Sequence, residues 1–308
     1  MSNVSGACSQ ARLVGLDFGG TSIKAGAADW DGKILQETSA PIELSAGADR
    51  VLDQAADLAR EMGVQDKLGI GCAGVFDRSN GTLIESPNLR ALDGVRLAAE
   101  LAKRLDIPAD CVAYENDANV AALGEQWLGA ARGIDNVMVV TLGTGIGGGL
   151  VLGGRLFAGP GGMAGEVGHL VVHAHGELCG CGSTGCLETL ASATAARRRA
   201  IAAGLPTSDP GNLELLSERA RAGEEDERAL LHGIGVDLGL GLAYVVSLLD
   251  INCFVFGGGF AAALDCMRDG VHEGLAQRLF GGRELQLMQA SLGGSAGWIG
   301  AAKLAFPS

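Results

Sequence analysis

Leu13-Val14-Gly15-Leu16-Asp17-Phe18-Gly19-Gly20-Thr21-Ser22-Ile23-Lys24-Ala25-Gly26-Ala27-Ala28 reads as an apolar strand, a glycine turn and a second strand. A Trp30-Asp31-Gly32 turn follows, and Ile34 begins a third strand. The second half repeats this order. Residues 137–141 form a strand that runs into Leu142-Gly143-Thr144-Gly145, and residues 147–152 form the next. A Gly153-Gly154 turn then leads to a third strand at 156–158. Between the two openings lie a helical pattern at 48–62, a buried strand at 68–72, a helix at 94–105 and a strand at 111–114. Strands alternating with helices predict an α/β fold, here of two similar halves. Halves that face each other would bring their glycine turns together across a cleft.

Composition narrows the function classes. The 308 residues are 47% apolar and 19% charged, enough for two domains with sizeable cores. Lys+Arg 23 against Asp+Glu 36 gives a net charge of −13. So acidic a chain lacks the basic footprint that neutralises phosphates, which argues against nucleic acid as a partner. Glycine is abundant at 50 residues without a collagen period, so it signals tight turns and close backbone approach. The most membrane-like stretch, 238–249, falls short of the ~20 residues a spanning helix needs and is expected to be a buried core helix. Residues 1–12 show neither the basic patch nor the apolar run of a signal peptide. Of eight cysteines, Cys179, Cys181 and Cys186 cluster and the others scatter, a distribution that suits a reducing cytoplasm.

Several short patterns mislead. Gly143-x-Gly145-x-x-Gly148 matches the dinucleotide fingerprint but runs into a strand where that fingerprint needs a helix. Asp17-Phe18-Gly19 spells a protein-kinase metal motif, yet no His-Arg-Asp loop precedes it. Gly293-x-Ser295-x-Gly297 has no later histidine to serve a hydrolase, and no Gly-Lys-Ser/Thr forms a P-loop. What remains is phosphate binding at two hairpin turns. Gly19 and Gly20 let backbone N–H groups approach a polyanion, Thr21 adds a hydroxyl, and Asp17 is placed to hold a metal ion. The 141–149 turn offers the same device from the other half.

Cys179-x-Cys181-x4-Cys186, set among Gly180, Gly182 and Gly185, supplies three soft ligands of a zinc site. His169, His173 and His175 all lie close upstream, and spacing does not choose among them for the fourth position. A closed Cys3His site would be structural. Glu115-Asn116-Asp117 follows a strand and starts a helix at 118–127, so it reads as an N-cap or as a carboxylate acting as general base toward a hydroxyl. Glu166, His169 and Glu188 surround the knuckle and suit hydrogen bonding to a polyol. Glu214 to Leu231, with its Glu224-Glu225-Asp226-Glu227 run, reads as a solvated surface helix, and Arg197-Arg198-Arg199 likewise as helix surface.

As a set these residues resemble the ROK family, bacterial sugar kinases and related repressors of the actin/hexokinase superfamily. The likeness covers nearly the whole chain. It rests on Asp17-Phe-Gly-Gly-Thr21, Ser86-Pro-Asn-Leu89, Glu115-Asn-Asp-Ala-Asn119, Thr141-Leu-Gly-Thr-Gly-Ile-Gly-Gly-Gly149, Gly165-Glu-Val-Gly-His169, the knuckle through Glu188, and Gly257-Gly-Gly259. The knuckle match is highly specific, whereas three glycines alone are weak. The resemblance implies two ribonuclease-H-like lobes with a cleft between them. Residues 1–117 would form the first, with a helix at about 296–308 packing back on it, and 118–295 the second, carrying the knuckle.

It further implies ATP with Mg²⁺ at Asp17, Gly19, Gly20, Thr21, Lys24, Thr141, Gly143, Thr144 and Gly145, and adenosine near Gly257 and Gly258. Asp117 would take the proton from a hexose 6-hydroxyl, while Asn88, Asn116, Asp117, Glu166, His169 and Glu188 bind the sugar. The resemblance selects His169 as the ligand that joins Cys179, Cys181 and Cys186 on a structural Zn²⁺. It also implies a homo-oligomer, dimer or tetramer. The expected activity is that of a glucokinase, with N-acetylglucosamine and N-acetylmannosamine as alternative substrates and polyphosphate as an alternative donor. Two departures bear on the sugar side: Ala73 stands where many members have proline, and Arg90-Ala91-Leu92 follows Pro87-Asn88-Leu89 without the tryptophan of many glucokinases. A sugar-sensing regulator is the reading from another class. The 12 residues before the first strand and the net charge of −13 disfavour its DNA-binding domain. An acetate-kinase-like enzyme fits the turns but not the knuckle.

Overall fold

The structure, a computed structural model, describes residues 12–207, 213–279 and 284–306. The first part of the chain runs β1 (Leu13–Phe18), β2 (Ser22–Ala28), β3 (Ile34–Pro41), α1 (Ala48–Glu61) and β4 (Leu68–Cys72). A hairpin of β5 (Val75–Asp77) and β6 (Thr82–Glu85) follows, then α2 (Leu97–Leu105), β7 (Val112–Asn116) and α3 (Asp117–Trp127). Next come β8 (Val137–Leu142), β9 (Ile146–Leu152), β10 (Arg155–Leu156), α4 (Glu188–Ala191), α5 (Ala193–Ala202), α6 (Glu214–Ala222) and α7 (Glu225–Leu249). The chain ends with β11 (Cys253–Gly257), α8 (Leu264–Ala276), β12 (Gln286–Gln289) and α9 (Ala296–Ala305). It divides into two compact units. The first joins the described residues up to Gly129 with those from Gly294 onward, and the second is Ala130–Gly293.

The first unit is built on a sheet of order β3-β2-β1-β4-β7, antiparallel from β3 to β1 and parallel from β1 to β7. Successive side chains of a strand point to opposite faces. Val14, Leu16 and Phe18 therefore enter one apolar core with Val51, Leu52, Ala55 and Leu101 from the helices. Leu13 joins α9 on the other face. Here glycine is a packing requirement: a Cβ on Gly15 or Gly69 would collide with the backbone of Trp298 or Ala301. The Trp298 ring is fully buried over Gly26, and truncating it to alanine would cost about 3–5 kcal/mol. α3 also packs on α9, with Gly124 against the Ala296 carbonyl and Gly300 against that of Val120. This backbone approach puts α3 in the first unit. The break falls after Gly129, one helix later than the division expected after residue 117.

The second unit repeats the plan. Its sheet order is β10-β9-β8-β11-β12, again antiparallel up to β8 and parallel beyond it. α7 and α8 cross closely. Gly235 and Gly239 meet the Met267 and Val271 carbonyls, while Gly270 and Gly274 meet those of His232 and Val236.

Two expectations need correction here. The apolar stretch at 238–249 is only the end of a 25-residue helix that begins at Glu225 and is long and apolar enough, by length and composition, to cross a membrane. Most of its apolar window is buried inside the unit. The expected surface helix from 214 to 231 is broken at Gly223, in the left-handed region, so that α6 and α7 form a corner. That corner buries Glu227, whose carboxylate accepts from Arg219 and is thereby held below the usual range, so the acidic run is not wholly a solvated face.

Candidate active site

In open α/β sheets, ligands gather at the carboxyl ends of the parallel strands. In the first unit that edge is set by register: Asp17 pairs with Gly71 and Gly71 with Glu115, while Phe18 pairs with Cys72 and Cys72 with Asn116. Asp17, the 71–74 turn and Asn116-Asp117 are thus brought side by side. The Gly19 amide donates to the Ser22 carbonyl at 2.9 Å and closes the first glycine turn. A side chain on Gly20 would press on Asn88, which places the expected sugar ligand against that turn. Lys24 faces Asp17 across the β1–β2 ladder and donates to the Gly294 carbonyl at 3.0 Å.

Asn116 is an N-cap. Its Oδ1 accepts from the Ala118 amide at 2.9 Å, and its Nδ2 donates to the Gly74 carbonyl at 3.2 Å. The cap and the functional reading are compatible, because capping by Asn116 leaves Asp117 at the first turn of α3. Ser86 Oγ donates to the Ala73 carbonyl at 2.6 Å, so the turn where proline is missing is pinned by a hydroxyl instead.

Both carboxyl groups of this edge are perturbed upward. The protein packed around Asp117 raises its pKa above the carboxylate range, against the pull of the Ala118 amide. Asp17 is pushed up to about 6, first by burial and then by the charge of Asp117, with Lys24 pulling the other way. Two carboxyl groups raised by burial, one of them also by the charge of the other, at a ligand-binding sheet edge mark a candidate acid–base centre.

In the second unit Thr141 pairs with Gly147 on one side and Gly257 on the other, so the second glycine turn and the 257–259 run adjoin. Gly258 has φ +84° and lies against the Leu142 carbonyl, a position only glycine can occupy. The Gly143 amide closes its turn onto the Gly145 carbonyl at 2.9 Å, and Thr194 Oγ1 donates to the Thr144 carbonyl at 2.7 Å.

Beside these glycines opens a cavity of about 1070 Å³. Gly143, Thr144, Gly259 and Phe260 line one part of it, and Thr194, Arg197, Arg198 and Ile201 of α5 another. Arg197 and Arg198 thus face a cavity, not open helix surface, while Arg199 pairs with Asp237. The lining residues of α5 were not expected at a site, although 194, 197, 198 and 201 fall on one helical face and their spacing would have flagged a shared environment.

The knuckle brings its four expected ligands together. Facing atoms of His169, Cys179, Cys181 and Cys186 all lie within 4.8 Å of one another. Cys179 Sγ is 3.7 Å from His169 Nδ1, and Cys181 Sγ is 3.6 Å from Cys186 Sγ. A tetrahedral zinc with Zn–S near 2.3 Å requires edges of about 3.8 Å, so the donor set fits that ion in type and size. His173 instead reaches Asp237 at 3.1 Å. The second ring nitrogen of His169, Nε2, lies 3.9 Å from a Glu166 carboxylate oxygen. Glu188 connects the knuckle to the glycine turn: one oxygen accepts from the Ile146 amide at 2.9 Å and the other lies 3.8 Å from Cys179 Sγ.

Comparison with known proteins fits this geometry. The chain is 35% identical to the glucokinase of Streptomyces coelicolor over 95% of this chain and 96% of that one. It is 44% identical to the Thermotoga maritima glucokinase over a stretch that covers 61% of this chain and only 59% of that protein. The crystal structure of a ROK family glucokinase from Streptomyces griseus, in complex with glucose and AMPPNP, superposes with a TM-score of 0.77 at 35% identity, covering 97% of this chain and all of that one. The fold is the actin/hexokinase type found in these sugar kinases. The model of the ROK family matches residues 13–307, and the chain belongs to that family.

Proposed function

We propose that this protein is an ATP-dependent kinase that phosphorylates the 6-hydroxyl of a hexose, with glucose as its substrate. The observation that carries this reading is the pairing of Asp117 with Asp17 at one sheet edge, with Asn88 against the adjoining glycine turn. Asp117 accepts the proton as the sugar oxygen attacks the γ-phosphate; Asn88 and Asn116 hold sugar hydroxyls by hydrogen bonds. Phosphoryl transfer leaves little covalent chemistry to the protein, so position and charge dominate. With the Gly19 and Gly143 amides occupied in closing their turns, Gly20, Thr21, Thr144 and Gly145 are the groups left to meet phosphate oxygens. The cavity beside Gly257 and Gly258 has room and apolar lining for the adenosine moiety.

Two metals belong to this reading. Ionised Asp17 would hold the Mg²⁺ that travels with ATP, which neutralises phosphate charge. His169, Cys179, Cys181 and Cys186 would hold a structural Zn²⁺. With Nδ1 turned to the sulfur cluster, the other ring nitrogen of His169 is fixed in direction and joins Glu166 and Glu188 as a sugar-binding group.

The test is ADP release from MgATP with glucose, N-acetylglucosamine, N-acetylmannosamine, fructose and allose. Turnover on glucose above the others is the expected result. Preference for an N-acetyl sugar would keep the kinase and change its substrate. Silence across the panel, with sugar binding intact, would overturn the reading.

A further inference from the structure

Glu115 lies one residue before the Asn116-Asp117 pair and is almost wholly buried, yet the reaction proposed above gives it no part. A buried carboxylate is costly unless paired, and this one has three donors on a single oxygen. Its Oε1 accepts from the Arg78 guanidinium, from the Asn116 amide at 2.8 Å and from Asn119 Nδ2 at 3.1 Å. Two of those donors flank Asp117, so the same oxygen fixes the chain before it and the first turn of α3 after it.

The third donor comes from elsewhere in the sequence. Arg78 sits at the tip of the β5–β6 hairpin, whose Phe76 ring packs on Tyr114 of β7 with centroids 5.0 Å apart. The far end of that hairpin runs directly into Ser86-Pro87-Asn88, where Ser86 is bonded to the Ala73 carbonyl and Asn88 lies against Gly20. The hairpin therefore meets the base-bearing strand at both ends, Glu115 through Arg78 at its tip and Asn116 through the Gly74 carbonyl at its root, beside the sugar-binding loop.

We propose that the Arg78–Glu115 ion pair is a positioning device, clamping the hairpin that carries Asn88 to the strand end that carries Asn116 and Asp117. The pair touches neither reactant. It fixes the spacing between the group that orients the sugar and the group that takes its proton. Misplacement on the scale of an ångström costs on the order of 10² in rate, which gives a positioning pair its leverage. This inference rests on the kinase reading.

The test compares wild type with Arg78→Ala, Arg78→Lys, Glu115→Gln and the double variant Arg78→Ala/Glu115→Gln, measuring kcat, KM for glucose, KM for MgATP and Tm. Arg78→Ala is expected to lower kcat/KM for glucose by about 10–10², seen in both kcat and glucose KM, with KM for MgATP near wild type. Arg78→Lys should recover most of the loss, and the double variant should lose less than the product of the two single losses. If Arg78→Ala melts at lower temperature but keeps wild-type kcat and glucose KM at 25 °C, the pair is merely structural and the inference fails. Should Glu115→Gln not fold, the Arg78 variants alone decide the matter. A wild type inactive on every sugar would instead overturn the kinase reading, a result these variants do not mimic.

Discussion

The two units share one frame and differ in what they hang on it. β1 and β8 have the same burial pattern, and each carries one partly buried residue in its fifth position: Asp17 in the first unit, Thr141 in the second. Each is followed by a glycine turn and an antiparallel partner, within sheets of the same order. Opposite Asp17 stands Lys24; opposite Thr141 stands Gly147. The first unit therefore gathers charge and perturbed carboxyl groups at its strand ends. The second offers hydroxyls, bare backbone, a cavity and a knuckle of three cysteines and a histidine. A shared fold fixes where a side chain stands, and the side chain decides the chemistry.

That contrast can be broken at its two equivalent positions. Asp17→Asn should lower kcat by about 10²–10³, the loss typical of one preorganised charge in a transition state. Thr141→Val, removing a neutral hydroxyl, should cost no more than about tenfold. Steady-state kinetics on both variants measure the difference; equal losses would mean that the two turns do the same work.

The knuckle tests the second unit alone. Cys181→Ser should reduce metal content well below one zinc per chain and raise the glucose KM, because His169 and Glu188 lose their common anchor. Metal analysis and sugar titration read this directly. An active preparation without zinc would remove the metal from the account.

A smaller, graded effect separates the carboxyl groups by pH. Asp17 titrates near 6 in the fold against about 3.9 in a free chain, and Asp117 is raised as well. Catalysis needs the ionised forms, so kcat/KM should fall as pH drops through about 6, the loss due to Asp17 approaching about tenfold per unit well below that pH. Stability runs the other way. A carboxyl with a raised folded pKa favours the fold below its unfolded pKa, and that gain is lost as pH rises through about 6. Urea midpoints of wild type and Asp17→Asn should therefore converge or cross as pH falls from 7 to 4. A constant offset would contradict the assigned shift.

Much of this was legible in the sequence, for physical reasons that differ by element. The strand at 68–72 was bounded correctly because an unbroken apolar run carries its own limits. The knuckle was legible because three cysteines among glycines have few other uses. Other features were hidden by the glycines themselves. Gly270 and Gly274 break the apolar pattern of α8, and Gly233, Gly235, Gly239 and Gly241 that of α7, though several face the opposing backbone and make the crossing. The β5–β6 hairpin was too short to register, at three and four residues. Glu227 and Glu115 read as surface or cap residues because burial of a carboxylate depends on an arginine at a distance, Arg219 for one and Arg78 for the other. Sequence spacing carries local periodicity well and such pairings poorly.

The most direct test of the central claim is glucose 6-phosphate formation by Asp117→Asn, with glucose binding measured by calorimetry on the same preparation. Removing the proton acceptor while keeping the shape of the side chain should lower kcat by about 10²–10⁴ with sugar binding and Tm close to wild type. A variant that turns over within a few-fold of wild type would show that Asp117 is not the general base.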